Sequence, residues 1–360
     1  RHALYEVHGV EQKWAKESEY HHYNHRNRLS SANVLGVSTY ATFLNLVEGK
    51  ASLDALLSDP STASLDAFGV IGYKVDVATN RALALGTSIK LAMTTWQQGK
   101  LGYSKGQVGG DVTFTIFKEM GLDMMTFMSQ DIAQNGKPFC FGPTTHQDTE
   151  QFTAAGNIMA DFVNGLVLRI SDDTLPGEWT LPVRQAIMKE YSVAVQLVPK
   201  EQRALAPEAL VSDEANAIND GMALSKLGVN VKVKKTDYPH IIRAVLKWIK
   251  SRDTGMKDTT EERITELLTD IAFIHEVFEP NLLVHVLVKF KEKWHDTYGE
   301  RNLYNYLHMQ HLKRSFSRCH GPPGEATDTC ALECFHRVLK SEGGFDTVEG
   351  LGTVISRMNL

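Results

Sequence analysis

Apolar residues recur at helical spacing along most of the chain. Within 31–47, Val34, Val37, Tyr40, Ala41 and Leu44 fall at i, i+3, i+6, i+7 and i+10, behind Ser30 and Ser31 as N-cap residues. Residues 80–98 give Leu83, Ile89, Met93 and Trp96, and residues 111–134 give Phe114, Phe117, Leu122, Met125, Met128 and Ile132. The run 148–170 places Phe152, Ala155, Met159, Phe162, Val163 and Leu166 in register, with Asp148 as its cap. The same periodicity predicts helices over 182–197, 212–227, 239–252, 259–278, 280–297, 300–318, 326–341 and 346–357. No proline occurs before Pro60 or between Pro60 and Pro138, so nothing there breaks a long helix.

Strand patterns are sparse. Residues 229–233 alternate Val, Asn, Val, Lys, Val, and 68–77 and 192–198 are rich in β-formers. The balance predicts a mostly α fold. Pro199 and Pro207 mark a connection within 197–212, and His320-Gly321-Pro322-Pro323-Gly324 interrupts any helix. The expected layout is an N-terminal arm (1–30), an N-terminal helical lobe (31–200), a C-terminal helical lobe (208–318) and a C-terminal arm (319–360). Within the last arm, Leu332, Phe335 and Leu339 form an apolar stripe on a short predicted helix.

Composition narrows the class without changing that picture. Of 360 residues, 42% are hydrophobic and 22% charged, as in a folded globular protein rather than a disordered one. No apolar run is long enough for a membrane span. The first 28 residues are polar and His-rich, with none of the apolar core of a secretory signal. Four cysteines are too few for a disulfide scaffold and fit a reducing compartment. These features predict a cytoplasmic or virion protein that is neither secreted nor membrane-bound.

Charge changes the picture most. Between 226 and 257, Lys226, Lys232, Lys234, Lys235, Arg243, Lys247, Lys250, Arg252 and Lys257 oppose only Asp237 and Asp253, in a chain whose net charge is −5. A segment with seven surplus positive charges favours a polyanion. Within it, Ile242, Val245, Leu246 and Ile249 make an apolar stripe, and Arg243, Lys247 and Lys250 a basic one. Pro239 suits the first turn, and upstream Lys232, Lys234 and Lys235 lie in an extended stretch. Residues 99–110 hold five glycines with Lys100, Tyr103 and Lys105, which suits a loop closing on a nucleic-acid strand with Tyr103 stacked on a base. Tyr20, His21, His22, Tyr23, His25, Arg26 and Arg28 mix aromatic and cationic groups in the N-terminal arm.

Other chemistry has less to stand on. The 14 histidines include Cys319-His320 and Cys330, Cys334 and His336, ligand types that zinc favours, but without CxxC pairs. Glu292/His295, Glu333/His336 and Glu19/His22 satisfy the ExxH spacing of di-iron bundles, without an inward-facing lining to match. No GxSxG, HExxH or P-loop spacing occurs. The expectation is therefore a non-enzymatic protein without cofactor or metal. It binds single-stranded RNA through Lys100, Tyr103, Lys105, Lys232, Lys234, Lys235, Arg243, Lys247 and Lys250, and it contacts copies of itself through its arms. Two helical lobes with a basic cleft and reaching arms resemble viral nucleoproteins and filament coat proteins in architecture only, so the likeness supplies no site positions. The alternative is an α-helical metalloprotein or enzyme with a site built from dispersed His and Glu.

Overall fold

The computed structural model describes residues 52–320, apart from 80, 102–106, 118–121, 131–135, 213–215, 252–254 and 313–316. Both expected arms therefore lie outside the described residues, except for 319–320. What is described is not mostly α. A seven-stranded mixed sheet runs β1-β2-β5-β4-β3-β6-β7, which makes this an α/β fold and overturns the expectation of two helical lobes.

The order along the chain is α1 (Leu53–Ser58), β1 (Gly69–Asp76), β2 (Arg81–Thr87), α2 (Ile89–Lys100), β3 (Gln107–Phe117), β4 (Leu122–Gln130) and β5 (Gly136–Thr144). Then come α3 (Thr149–Asp172), α4 (Leu181–Leu197), β6 (Ala209–Ser212), α5 (Asn216–Leu224) and β7 (Val233–Thr236). Five strands pair antiparallel, while β6 and β7 add in parallel to the β3 edge. So the start of the expected C-terminal lobe belongs to the sheet.

The strands escaped the periodicity for a physical reason. On β4, Met124 and Met125 are both fully buried, as are Leu122 and Phe127. A strand covered on both faces loses the apolar–polar alternation that would betray it. Met125 and Phe127 join Val108 of β3 and Cys140 of β5 in the core beneath the helices. Thr126 pairs with Phe141 on the opposite face, where Phe68 stacks on Phe141 at 4.4 Å. Likewise β2 is buried from Ala82 to Leu85, and the helix expected over 80–98 begins only at Ile89, after Ser88 accepts from the Leu91 N–H.

Of the expected N-caps, Asp148 is in place, while Ser30 and Ser31 lie outside the described residues. Asp148 opens α3, accepting from Gln151 N–H at 3.0 Å and from Arg81 of β2 at 2.9 Å. Burial works against its charge, yet those partners hold its carboxyl below the ordinary carboxylate range. The helix stops at Asp173, which takes the left-handed conformation (φ 55°). Helix α3 lies so close to α5 that a Cβ on Gly221 would sit 2.5 Å from the Cβ of Phe152.

A second core follows β7. It is built by α6 (Tyr238–Ile249), α7 (Glu261–Glu276), α8 (Pro280–Lys291) and α9 (Arg301–Leu307), with a wide π-type turn at Glu292–Thr297. Ile241, Val245, Leu267, Ile271, Phe290, Trp294 and Leu303 fill it, and it shares no buried residue with the core of the sheet. Trp294 is fully buried and donates Nε1–H to Asp270 at 2.7 Å. Lys293 bridges Asp270 and Glu266 at 2.6 and 2.9 Å.

Two outcomes follow. A Cβ on Gly142 would stand 2.0 Å from the Ala84 carbonyl oxygen, so Gly142→Ala forces β2 and β5 apart. It should cost about 1–3 kcal/mol and lower the main thermal transition. Trp294→Ala should cost about 3–5 kcal/mol in the helical unit. Because the two cores are separate, the helical circular dichroism signal should then fall in two steps, α6–α9 first and the helices packed on the sheet second; a single undivided transition would contradict that separation.

Candidate nucleic-acid interface

The basic segment divides into two settings. Its first part is the edge of the sheet. The Lys232 N–H donates to the Glu208 carbonyl at 2.8 Å, and Leu210, Val211 and Ser212 pair with Lys234, Lys235 and Thr236. Alternation along β7 sends Lys234 and Lys235 to opposite faces. Lys234 reaches Asp220 of α5 at 3.4 Å. Lys235 turns inward, is 2% exposed, and donates to the Gln107 side-chain oxygen at 3.3 Å. Lys232 pairs with Glu208 at 3.1 Å, and Lys226 with Asp161 of α3 at 2.6 Å.

Three of the nine cations are thus matched by carboxylates from outside the segment. Exposed pairs of this kind contribute little to stability, but they cancel the local field that a phosphate would feel. Lys235 is buried and turned inward, which removes it from any phosphate-binding surface. Of the expected RNA ligands Lys232, Lys234 and Lys235, the first two are thus paired with acids and the third is buried.

Lys100 belongs to the same corner. Helix α2 runs through Gly99 and Lys100, and Gly109 and Gly110 lie in β3 opposite Met128 and Phe127, so 99–110 is not one continuous loop. Burial pushes the Lys100 ammonium below its ordinary range, while Glu208 pulls it back. Lys100 therefore lies within the field of the carboxylate that Lys232 pairs with. Tyr103 and Lys105 lie outside the described residues.

The second setting is α6. Asp237 ends the sheet and starts this helix: its N–H donates to the Ser212 carbonyl at 2.9 Å, and its carboxylate accepts from the His240 N–H at 3.3 Å. Asp237 also contacts His240 Nδ1. A buried carboxylate holding an imidazole suits acid–base work in principle. Here the spacing is that of an N-cap and the third helical residue, which accounts for both contacts. The buried stripe is Ile241, Val245 and Ile249, one residue off the expected set at its start. Arg243, Lys247 and Lys250 project from the opposite side and are exposed. Arg243 Nε donates to the Pro239 carbonyl at 3.4 Å. Lys247 and Lys250 form no ion pair among the described residues.

The structure therefore brings Arg243, Lys247 and Lys250 together on one open face, pairs Lys232 and Lys234 with acids, buries Lys235 and leaves Lys100 half-buried beside them. Sequence reading missed Glu208, Asp220 and Asp161. Lys226 and its partner stand 65 positions apart, and no local pattern announces such a pairing. Of the residues weighed for metals, Glu292 pairs with Lys289 at 2.5 Å and His295 with Asp296 at 2.6 Å, while Glu19, His22, Cys330, Glu333, Cys334 and His336 lie outside the described residues. Among the described residues no group of three His, Cys, Asp or Glu side chains is placed to hold a metal, and no helix is long and apolar enough to cross a membrane. No protein-family model matches the chain, and no curated protein matches it significantly.

Proposed function

We propose that this is a non-enzymatic protein that binds single-stranded RNA along the outer face of α6, and that copies of it associate through the terminal arms. The observation that carries the RNA half is the row of Arg243, Lys247 and Lys250, exposed and opposite the buried stripe, with two ammonium groups that form no ion pair among the described residues. Seven residues of helix rise about 10 Å, so the three cations can follow a phosphodiester backbone without reading its bases. Each phosphate neutralised releases a condensed counterion, which makes binding salt-dependent and indifferent to sequence. The association half rests on the apolar stripe of the C-terminal arm, residues outside those described.

The test is the salt dependence of binding to a fluorescein-labelled oligouridylate, followed by anisotropy. Replacing Arg243, Lys247 and Lys250 by Gln should reduce the slope of log K against log salt by about 2, at roughly 0.7 per lost contact on a single strand. Lys232→Gln with Lys234→Gln should leave the slope nearly unchanged, because Glu208 and Asp220 already neutralise those ammonium groups. An unaltered slope in the triple variant, or a larger loss in the double one, overturns the assignment.

A further inference from the structure

At the other end of the sheet a cavity of about 370 Å³ opens between α1, β1 and α3. Phe162, Gly165 and Arg169 line it from α3 at i, i+3 and i+7, so one stripe of that helix forms a wall. Asp54 of α1, Tyr73 of β1 and Trp179, just before α4, complete the lining used here. The volume lies within the range of small-molecule sites, and the lining sets the rings of Phe162 and Trp179 beside the polar groups of Asp54, Tyr73 and Arg169.

The wall is built rather than incidental. Trp179 is 3% exposed, and its Nε1–H donates to Asp54 at 3.0 Å. The Trp179 carbonyl accepts from Arg184 at 3.0 Å, and the next residue, Thr180, donates its N–H to the Leu57 carbonyl at 2.9 Å. These bonds fix the indole to α1 and α4 together. Asp161, also on the rim, is held by Lys226. Arg169 differs from both carboxylates: its guanidinium makes no ion pair and no hydrogen bond among the described residues. A Cβ on Gly165 would meet nothing within 4 Å, so open space reaches the helix backbone there.

We infer that this cavity is a binding site for a small organic carboxylate with a flat apolar body. The body lies against Phe162 and Trp179, and the carboxylate takes the Arg169 guanidinium. The planar fork of an arginine matches a carboxylate in two parallel hydrogen bonds. Asp161 is neutralised by Lys226 and Asp54 accepts from Trp179, which leaves Arg169 as the charged group on the wall still open to an anion.

Three probes of one shape separate the contributions: 2-naphthoate, 2-naphthylmethanol and 2-naphthylmethylamine, each titrated calorimetrically into the full chain. The carboxylate should bind about tenfold tighter than the alcohol, as a charge-assisted pair provides, and Arg169→Gln should erase that difference while leaving the alcohol unaffected. Gly165→Phe should abolish binding of both by filling the space beside the helix. Gly165→Ala, a helix-favouring change into open space, should melt no lower than the parent and still bind, which separates blockage from misfolding. Preference for the amine would make Asp54 the anchor and overturn the inference. So would failure of all three probes to bind the parent, or binding that survives Gly165→Phe. None of these readouts involves RNA, so the inference stands or falls apart from the α6 assignment.

Discussion

The geometry of the molecule turns on Asp237. Its backbone N–H makes the last rung between β6 and β7, and its carboxylate caps the helix that enters the second core. One buried residue therefore ends the sheet and starts the helical unit. No slack separates the two, so the direction of α6 is set by the parallel pairing of β7 on β6 and of β6 on β3. The side of α6 that faces solvent follows from that pairing, because Ile241, Val245 and Ile249 must turn into the helical core. The basic face is a by-product of where the apolar face has to go.

Charge is sorted by the same constraint. Before Asp237, Lys226, Lys232 and Lys234 meet Asp161 of α3, Glu208 beside β6 and Asp220 of α5; after it, Arg243, Lys247 and Lys250 sit on an exposed helix face, where Lys247 and Lys250 form no ion pair among the described residues. A run that looks uniform in sequence is thus internally compensated in its first half and open in its second. The net −5 of the chain is compatible with a polyanion site only because compensation is local, pair by pair.

What could be read from the sequence follows which surfaces are one-sided. Helix α4 over Leu181–Leu197, α6 over Tyr238–Ile249 and α7 over Glu261–Glu276 were legible because each buries one stripe and exposes another, with Pro or Thr at the start. Strand β1 was half visible in the β-rich run 68–77. Strands β2 and β4 were read as helices because residues covered on both faces carry no period, and Met and Leu suit either state. At the site, the exposed stripe of Arg243, Lys247 and Lys250 was legible for the same reason as its helix. The fate of Lys235 was not, since its inward turn depends on Gln107, a strand away on β3. Nor was the cavity lined by Arg169, which three separate elements assemble.

The lysines of β7 have a consequence of another kind. This strand is the last in the sheet order, four residues long, and a sheet edge is where a stray extended chain can add itself. A short edge bearing Lys232 and Lys234 on one side and an inward-turned Lys235 on the other is a poor template, because an incoming strand would have to desolvate ammonium groups already committed to their own acids. Side chains that look like bait for phosphate instead act as a fence. They keep the sheet from growing in a molecule whose central strands, hydrophobic on both faces, would aggregate readily if a neighbour found a way in.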